Sequence, residues 1–568
     1  MQSDKESLIE FLISKGEIPS FSFPLDTTMF AAESKSGKRL AHVARYSRDT
    51  KLALSELAPG QIRTVDGKRM KIGGLYFEYS RDRVNRAREF FHWFFTLQEN
   101  KVSMCLNEFC SWVSGNKHDD LSNEACPVCL GSSDPLRNPN NVRTYRLLQP
   151  EGFAPICVPH DNGKPIRNMS TGKADFVGPV FQKSVTKKGS RFSGRARLPA
   201  PDAHDLAQRD AVWTGGARWN RVSLYTSNEQ QEGFGTEFVL VNTGPGEEGF
   251  TFCEACGSSM HPEHIEKVSG RDAGLNHFRP YIVQGQDISP QASGDERRAI
   301  HRGCSGHAVP SEADMPIGLG LRFRTDLVLF RFDISHADEP LAWMTPQFHG
   351  AMCAIRDAIQ TTFVKKMGLM NREIGAGYRR VVNNDGKRFV DVYLFDSVSG
   401  GAGLVTQIEQ FVPHMEEALD EALEHLDGRS CLEAKACSRA CVGCLLDFKN
   451  RIDHDTINRP LGWSLFRFFA TNRSPEGHDF GMNKTQEINR VQLAVDAYGA
   501  FYGDKNAVTL EDDGTVSTSS GANWEVISPL FKEDIAKRKI RADTFEFFPD
   551  VIVGNLSNPD ERASIFDL

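Results

Sequence analysis

The 568-residue sequence contains no uninterrupted run of about 18 apolar residues, the length that a membrane-spanning helix requires. Residues 1–10 are polar and acidic, which does not match the basic and then apolar pattern of a secretory signal. These absences predict a cytoplasmic protein that does not enter a membrane. Because that compartment keeps thiols reduced, closely spaced cysteines indicate metal ligands rather than disulfides.

The sequence also lacks Gly-x4-Gly-Lys-Ser/Thr, the motif with which nucleotide-driven motors hold phosphate groups. Its Gly-Lys pairs begin at Gly37, Gly67, Gly163, Gly172 and Gly386, and each is followed by Arg, Pro or Ala. The chain is therefore not predicted to be a self-sufficient helicase. No candidate metal set leaves an open position beside a glutamate, so we expect no catalytic residues.

An excess of positive charge is absent from the chain as a whole, since its net charge is −8. This excludes a uniformly basic coat for nucleic acid. However, one Ser/Gly-rich stretch, residues 164–199, carries nine basic residues and one acidic residue. It is either a solvated loop or a surface that contacts phosphate groups. The candidates for phosphate contact are Lys183, Lys187, Lys188, Arg191, Arg195 and Arg197.

What the sequence does contain is 13 cysteines, most of them in clusters. The first cluster consists of two short pairs separated by a loop, Cys105, Cys110, Cys126 and Cys129. This arrangement is typical of a zinc ribbon, in which each pair lies on a turn and four thiolates complete a tetrahedron. Such a closed site leaves no position for water, so it indicates a structural role.

A second set combines a short cysteine pair with ligands beyond a long insertion, Cys253, Cys256, Cys304 and His307. His301 is an alternative fourth ligand. A third set places four thiols within fourteen positions, Cys431, Cys437, Cys441 and Cys444. Its compactness suits one metal ion but does not distinguish zinc from an iron–sulfur cluster. We expect zinc, up to three ions, and we expect the remaining Cys157 and Cys353 to be buried as small hydrophobic side chains.

The distribution of strand-like and helical segments predicts an α+β, multidomain fold that combines zinc-ribbon modules with a mixed strand and helix domain. The predicted units are 1–100, 101–150 (first zinc ribbon), 151–250 (β-rich), 251–345 (second zinc module), 346–470 (helical four-Cys domain) and 471–568. Within the fifth unit, a strand leads through a Gly-rich loop into a long helix at about 404–426. The loop amides form either an anion site or a tight turn.

Several motifs together resemble a known family. They are the run from Asp391 through Asp396 to Gly403, the third cysteine set, and Leu445 to Asn450 with His454 and Arg459. These are similar to the C-terminal zinc-binding domain of MrfA-like superfamily 2 DNA helicases and to DrmB, the helicase-partner subunit of DISARM antiphage defence. Supporting similarity covers roughly residues 50–470. Ser399 and Leu404 depart from the family pattern, which has Pro and Tyr there.

The resemblance implies that Cys431, Cys437, Cys441 and Cys444 bind zinc. It also implies that a companion superfamily 2 helicase, DrmA-like, supplies ATP hydrolysis. This chain would form a heterodimer with that helicase and help to hold DNA by its phosphate backbone, without catalysis of its own. The alternatives are a detached C-terminal module of another split helicase or nuclease system in defence or DNA repair, an iron–sulfur enzyme, and a scaffold that never touches nucleic acid.

Overall fold

The structure is a computed structural model, and it describes part of the chain. The described residues are 27–36, 39–65, 68–77, 83–96, 100–107, 109–129, 141–155, 196–201, 206–227, 236–244, 247–254, 256–260, 282–283, 308–309, 315–335, 341–370, 373–397, 401–427, 431, 437, 439–447, 450–471, 508–510, 515–518, 523–526, 530 and 544–547. Within them, no helix combines the length and the apolar character needed to cross a bilayer.

The predicted α+β class is confirmed. The α-helices are α1 (Thr50–Glu56), α2 (Arg83–Thr96), α3 (Pro346–Lys366), α4 (Met415–Asp427) and α5 (Arg459–Thr471). The strands are β1 (Thr27–Ser36), β2 (Arg39–Asp49), β3 (Ile62–Val65), β4 (Lys68–Leu75), β5 (Lys101–Cys105), β6 (Val142–Leu148), β7 (Gly152–Pro155), β8 (Trp213–Thr214), β9 (Val222–Thr226), β10 (Thr236–Asn242), β11 (Thr251–Cys253), β12 (Ser259–Met260), β13 (Ile282–Val283), β14 (Ala308–Val309), β15 (Ile317–Thr325), β16 (Leu327–Asp333), β17 (Ile374–Val382), β18 (Arg388–Asp396), β19 (Val508–Leu510), β20 (Thr515–Thr518), β21 (Asn523–Val526) and β22 (Thr544–Phe547). Short 3-10 helices span Leu206–Gln208, Val405–His414 and Arg451–Asp453.

The described strands form five sheets. A six-stranded sheet has the order β13-β1-β7-β4-β3, with β2 also paired to β1, and a three-stranded sheet has the order β12-β11-β14. Strands β10-β15-β6-β5 form a four-stranded sheet, and β19 to β22 form another in sequential order. The fifth sheet, β17-β18-β16-β9-β8, is antiparallel throughout. Strand β5 ends at Cys105 and pairs with β6, which in turn pairs with β15. The first cysteine set therefore adjoins the four-stranded sheet β10-β15-β6-β5.

The five-stranded sheet is buried on both faces. On β16, Val328 and Phe330 belong to the core that contains α3, α4 and α5, whereas Leu327 and Leu329 belong to a second core on the opposite side. Successive side chains of a strand point to opposite faces, so a strand covered on both sides needs apolar residues at nearly every position. The second core joins this sheet to the four-stranded sheet β10-β15-β6-β5. There, the ring centre of Phe238 on β10 lies 4.6 Å from that of Phe395 on β18.

The predicted long helix at about 404–426 is only partly correct. Residues Val405–His414 form a 3-10 helix, and α-helical geometry begins at Met415. Pro413 lies at the end of the first segment. Proline has no N–H to donate and its ring clashes with the carbonyl four residues earlier, which interrupts a continuous α-helix. The predicted domain boundaries are not tested by these contacts and stay a prediction.

Candidate metal centres

The first cysteine set converges on one point. The Sγ atoms of Cys105 and Cys129 are 3.7 Å apart, and those of Cys110 and Cys126 are also 3.7 Å apart. All four residues are buried. Zinc binds thiolate at about 2.3 Å, which gives a tetrahedral edge of about 3.8 Å. The spacing therefore suits a single four-coordinate ion.

Local turns create this geometry. The Cys129 amide donates to the Cys126 carbonyl at 3.1 Å, and the Cys110 amide donates to the Asn107 carbonyl at 3.0 Å. Asn107 also donates from its backbone to Cys105 Sγ at 3.3 Å and from its side chain to Cys129 Sγ at 3.6 Å. Hydrogen bonds from Cys105 and Cys110 lower the pKa of Cys129, whereas the pKa values of Cys105 and Cys110 are raised by the neighbouring thiols and by burial. The two hydrogen bonds from Asn107 favour the thiolate form that a metal requires.

The third cysteine set is also brought together. The Sγ distances are 3.4 Å between Cys431 and Cys441, 3.8 Å between Cys437 and Cys444, and 3.7 Å between Cys441 and Cys444. The Cys441 amide donates to Cys444 Sγ at 3.1 Å, and the Cys444 amide donates to the Cys441 carbonyl at 3.0 Å. The described residues thus contain two centres with four thiols each. Their donor sets fit Zn²⁺ and leave no coordination position for water.

Only half of the middle set lies in the described part of the chain. Cys253 and Cys256 are buried on a turn closed by bonds from the Cys256 and Gly257 amides to the Cys253 carbonyl, at 3.3 and 2.8 Å. Gly257 has a φ of +74°, a conformation that residues with a side chain rarely adopt. Cys304, His307 and the alternative His301 lie outside the described residues. The middle site and the number of zinc ions therefore stay predictions.

In the described part of the Gly-rich loop before the 3-10 helix Val405–His414, four successive amides have acceptors within the chain. Asp396 accepts hydrogen bonds from the amides of Ala402, Leu404 and Val405, at 2.6, 3.0 and 2.8 Å. Asp326 accepts one from the amide of Gly403 at 3.0 Å. These two carboxylates take the place that an external anion would need. These contacts favour the tight turn over the anion site, and Ser399 and Gly400 lie outside the described residues.

Of the predicted phosphate contacts, only Arg197 lies in the described part of the chain. It is partly buried, and its backbone pairs with Val239 through hydrogen bonds of 2.8 and 3.0 Å. Burial lowers the pKa of Arg197. Lys183, Lys187, Lys188, Arg191 and Arg195 lie outside the described residues. Phosphate contact by this stretch stays a prediction.

One polar cluster was missed by the sequence reasoning. Cys353 was expected to be a buried small hydrophobic residue; it is fully buried, but it lies beside His349 and Asp453. Burial lowers the pKa of His349 to about 4 and raises the pKa of Cys353. The spacing of four between His349 and Cys353 places both on one face of a helix, which is the only sequence signal. Asp453 is too distant in sequence to be found that way.

The fold and the two four-Cys centres define a mixed α+β protein with zinc-binding modules. Residues 355–445 match the family model of the MrfA Zn-binding domain (MZB). The matched range includes the third cysteine set. The chain is 25% identical over 559 residues to Druantia protein DruE of Escherichia coli (strain UMEA 4076-1). That similarity covers 95% of this chain but 26% of DruE, so the chain spans about a quarter of the length of this relative.

Among solved structures, the chain is similar to the crystal structure of DUF1998 helicase MrfA bound to DNA. The TM-score is 0.29 at 10% sequence identity, and the similarity covers 75% of this chain and 33% of that chain. Taken together, the family match and the relative show similarity to the zinc-binding domain of MrfA and to part of Druantia protein DruE. They do not single out DrmB of DISARM.

Proposed function

We propose that the chain is a non-catalytic, zinc-stabilised component of an antiphage defence system, that it acts with a superfamily 2 helicase, and that it helps to hold DNA. The observation that carries this proposal is the similarity to Druantia protein DruE along 95% of the chain. The match of residues 355–445 to the MrfA Zn-binding domain supports the association with a helicase. The chain itself has no nucleotide-binding Gly-x4-Gly-Lys-Ser/Thr motif, so a separate motor would supply ATP hydrolysis.

The similarity to DruE favours a Druantia-type system as the setting of this proposal. The sequence motifs around Asp391 to Gly403 also resemble DrmB, so a DISARM-type system with a DrmA-like partner is the second candidate. In either setting we propose the same role, in which the zinc-stabilised chain binds the helicase as one partner of a heterodimer. The identity of the helicase gene beside this one separates the two candidates.

Defence should depend on the third metal centre. We expect cells that carry the system with Cys441→Ser to lose protection, because the altered chain cannot maintain the fold that its partner binds. The measurement is phage plating efficiency on cells with the wild-type and altered systems. Val442→Ser is the matched control, since Val442 is the adjacent residue, does not ligate metal and is 84% exposed. Equal protection by wild type and Cys441→Ser would contradict a role for this centre in defence.

DNA contact is proposed for the basic stretch 164–199. Replacing Lys183, Lys187 and Lys188 by Glu should weaken DNA binding and reduce its dependence on salt, because each lost phosphate contact removes about 0.9 from the slope of log K against log salt. Loss of three contacts would reduce the slope by roughly 2 to 3 units. The measurement is a salt titration of duplex DNA binding by the complex of this chain with its helicase.

The control variant changes the same total charge elsewhere. Arg88, Lys117 and Lys387 are exposed and lie outside the basic stretch, so their replacement by Glu should leave the slope close to that of wild type. If both triple variants reduce the slope equally, the effect is one of overall charge. If neither changes it, the chain does not contact DNA phosphate through these lysines, and the scaffold alternative is favoured.

A further inference from the structure

A third group of metal-ligating side chains lies apart from both four-Cys centres. His349 and Cys353 are four residues apart on α3, and Asp453 lies in the 3-10 helix before α5. Cys353 Sγ is 3.8 Å from His349 Nε2 and 3.6 Å from Asp453 Oδ2. The three ligand atoms all lie within 4.8 Å of one another. Cys353 and Asp453 are buried, and His349 is partly buried.

These separations agree with those in the two four-Cys centres. There, the distances between ligand atoms run from 3.4 to 3.8 Å. A tetrahedral zinc ion with sulfur at about 2.3 Å and nitrogen or oxygen at about 2.0 to 2.2 Å places S and N or O about 3.6 Å apart. Nitrogen, sulfur and oxygen donors together are a set that zinc accepts in proteins.

A second contact orients the imidazole. The other ring nitrogen of His349, Nδ1, is hydrogen-bonded to the hydroxyl of Tyr378 on β17. A partner of this kind on the second ring nitrogen is the usual accompaniment of a metal-bound histidine, because it fixes the ring and leaves Nε2 for the ion. Nε2 is the nitrogen that faces Cys353.

Two arginines lie beside the cluster. Arg356 donates from Nε to Asp357 at 2.6 Å and from both Nη atoms to Asp453 Oδ2 at 3.1 Å, and Nη1 also lies 3.6 Å from Cys353 Sγ. Arg380 donates to the carbonyls of Trp343 and Phe109, and its charge acts with burial to lower the pKa of His349. The two guanidinium groups balance the carboxylates of Asp357 and Asp453, so the geometry of the three ligand atoms carries the case for an ion.

A divalent ion would deprotonate Cys353, since metal binding releases the thiol proton. Both contacts from Arg356 end on Asp453 Oδ2, and a carboxylate oxygen offers about two lone-pair positions. The ion would therefore take the place of one of these two contacts.

We propose that His349, Cys353 and Asp453 form a further metal site, which binds one Zn²⁺ and connects α3 to the segment that follows the third cysteine set. The site uses residues on both sides of that set in sequence, so it would hold the four-Cys segment against α3. Its role is independent of the proposed function in defence.

Anomalous diffraction from crystals of the full chain with zinc tests this site directly. Data collected on both sides of the zinc absorption edge should show a peak enclosed by His349 Nε2, Cys353 Sγ and Asp453 Oδ2, in addition to peaks at the four-Cys centres. Peaks at the four-Cys centres without one at this position would overturn the proposal. The unaltered protein is used, so the outcome does not depend on the folding of a variant.

Metal counting by native mass spectrometry is the second test. His349→Gln and Cys353→Ala should each lose about one ion per chain relative to wild type. Met352→Leu is the matched control, since Met352 is fully buried on the same helix and is not one of the ligands. Wild-type metal content in both ligand variants would also overturn the proposal. A variant that loses several ions has lost its fold, and the anomalous map then decides.

Discussion

Replacing Cys441 by Ser is expected to destabilise the domain around the third cysteine set by several kcal/mol and to remove its metal ion. Structural zinc contributes roughly 10 to 16 kcal/mol in small zinc-binding folds, and that contribution is coupled to folding. The loss of one thiolate from a closed tetrahedron weakens the binding of the metal ion. The three remaining thiols are then left close together without the ion that they would coordinate. The measurements are metal content per chain and thermal unfolding, in which each kcal/mol corresponds to roughly 2 to 4 °C.

Val442→Ser is the control for this prediction, because the residue follows Cys441 directly and its side chain is 84% exposed. It should keep the metal content and the melting temperature of the wild type. Unchanged unfolding and metal content in Cys441→Ser would contradict a structural centre. The same metal analysis separates zinc from iron: a colourless protein with zinc supports our assignment, whereas a coloured protein with iron would support the iron–sulfur alternative.

Replacing Asp391 by Asn is expected to destabilise the protein by about 3 to 5 kcal/mol. Asp391 is fully buried and lies in register between Arg331 and Arg379 on the two neighbouring strands. Arg331 donates to both of its oxygens at 2.7 and 2.8 Å, and Arg379 donates at 2.9 Å. Asparagine has nearly the same size but no charge, so two largely buried guanidinium groups would lose their counter-ion. The measurement is the free energy of unfolding in denaturant.

The dependence of this effect on pH follows from the pKa of Asp391. Burial acts to raise that pKa, but Arg379 and Arg331 outweigh burial and hold it below its ordinary value. A carboxyl group with a lowered pKa stabilises the fold fully above its unfolded pKa of about 3.9, and this contribution is lost as the pH falls through the folded pKa. The difference between wild type and Asp391→Asn should therefore be constant above about pH 5 and shrink below about pH 4.

Asp385→Asn provides the control, because Asp385 is exposed in a turn on the same hairpin. Its effect should stay within about 0.5 kcal/mol, the range of ordinary surface substitutions. If Asp391→Asn unfolds at the same denaturant concentration as wild type, the buried carboxylate does not stabilise the five-stranded sheet.

Much of the metal chemistry could be predicted from the sequence, because zinc-binding turns are local. Cys126 and Cys129, like Cys441 and Cys444, are separated by two residues, and a single turn places their sulfur atoms near one another. Because a tetrahedral ion needs four ligands, two such cysteine pairs separated by a loop are expected to share one ion. The α+β class followed from the alternation of strand-like and helical segments.

Other features depended on contacts between segments far apart in sequence. In the Gly-rich loop, the amides of Ala402 and Gly403 donate to Asp396 and Asp326, two acceptors that the loop sequence alone does not identify. Cys353 acquired polar neighbours only because folding brings Asp453 to the helix that carries His349.

The sequence by itself determined which cysteines can share an ion and that the chain has no nucleotide-binding motif of its own. Tertiary structure alone decided how Asp391 is paired, because its partners lie on two other strands. It also decided that β16 is covered on both faces, and which polar groups lie beside Cys353. The physical reason is range: ligand spacing within a turn is set by neighbouring residues, whereas the neutralisation of a buried charge depends on segments that meet only in the folded chain.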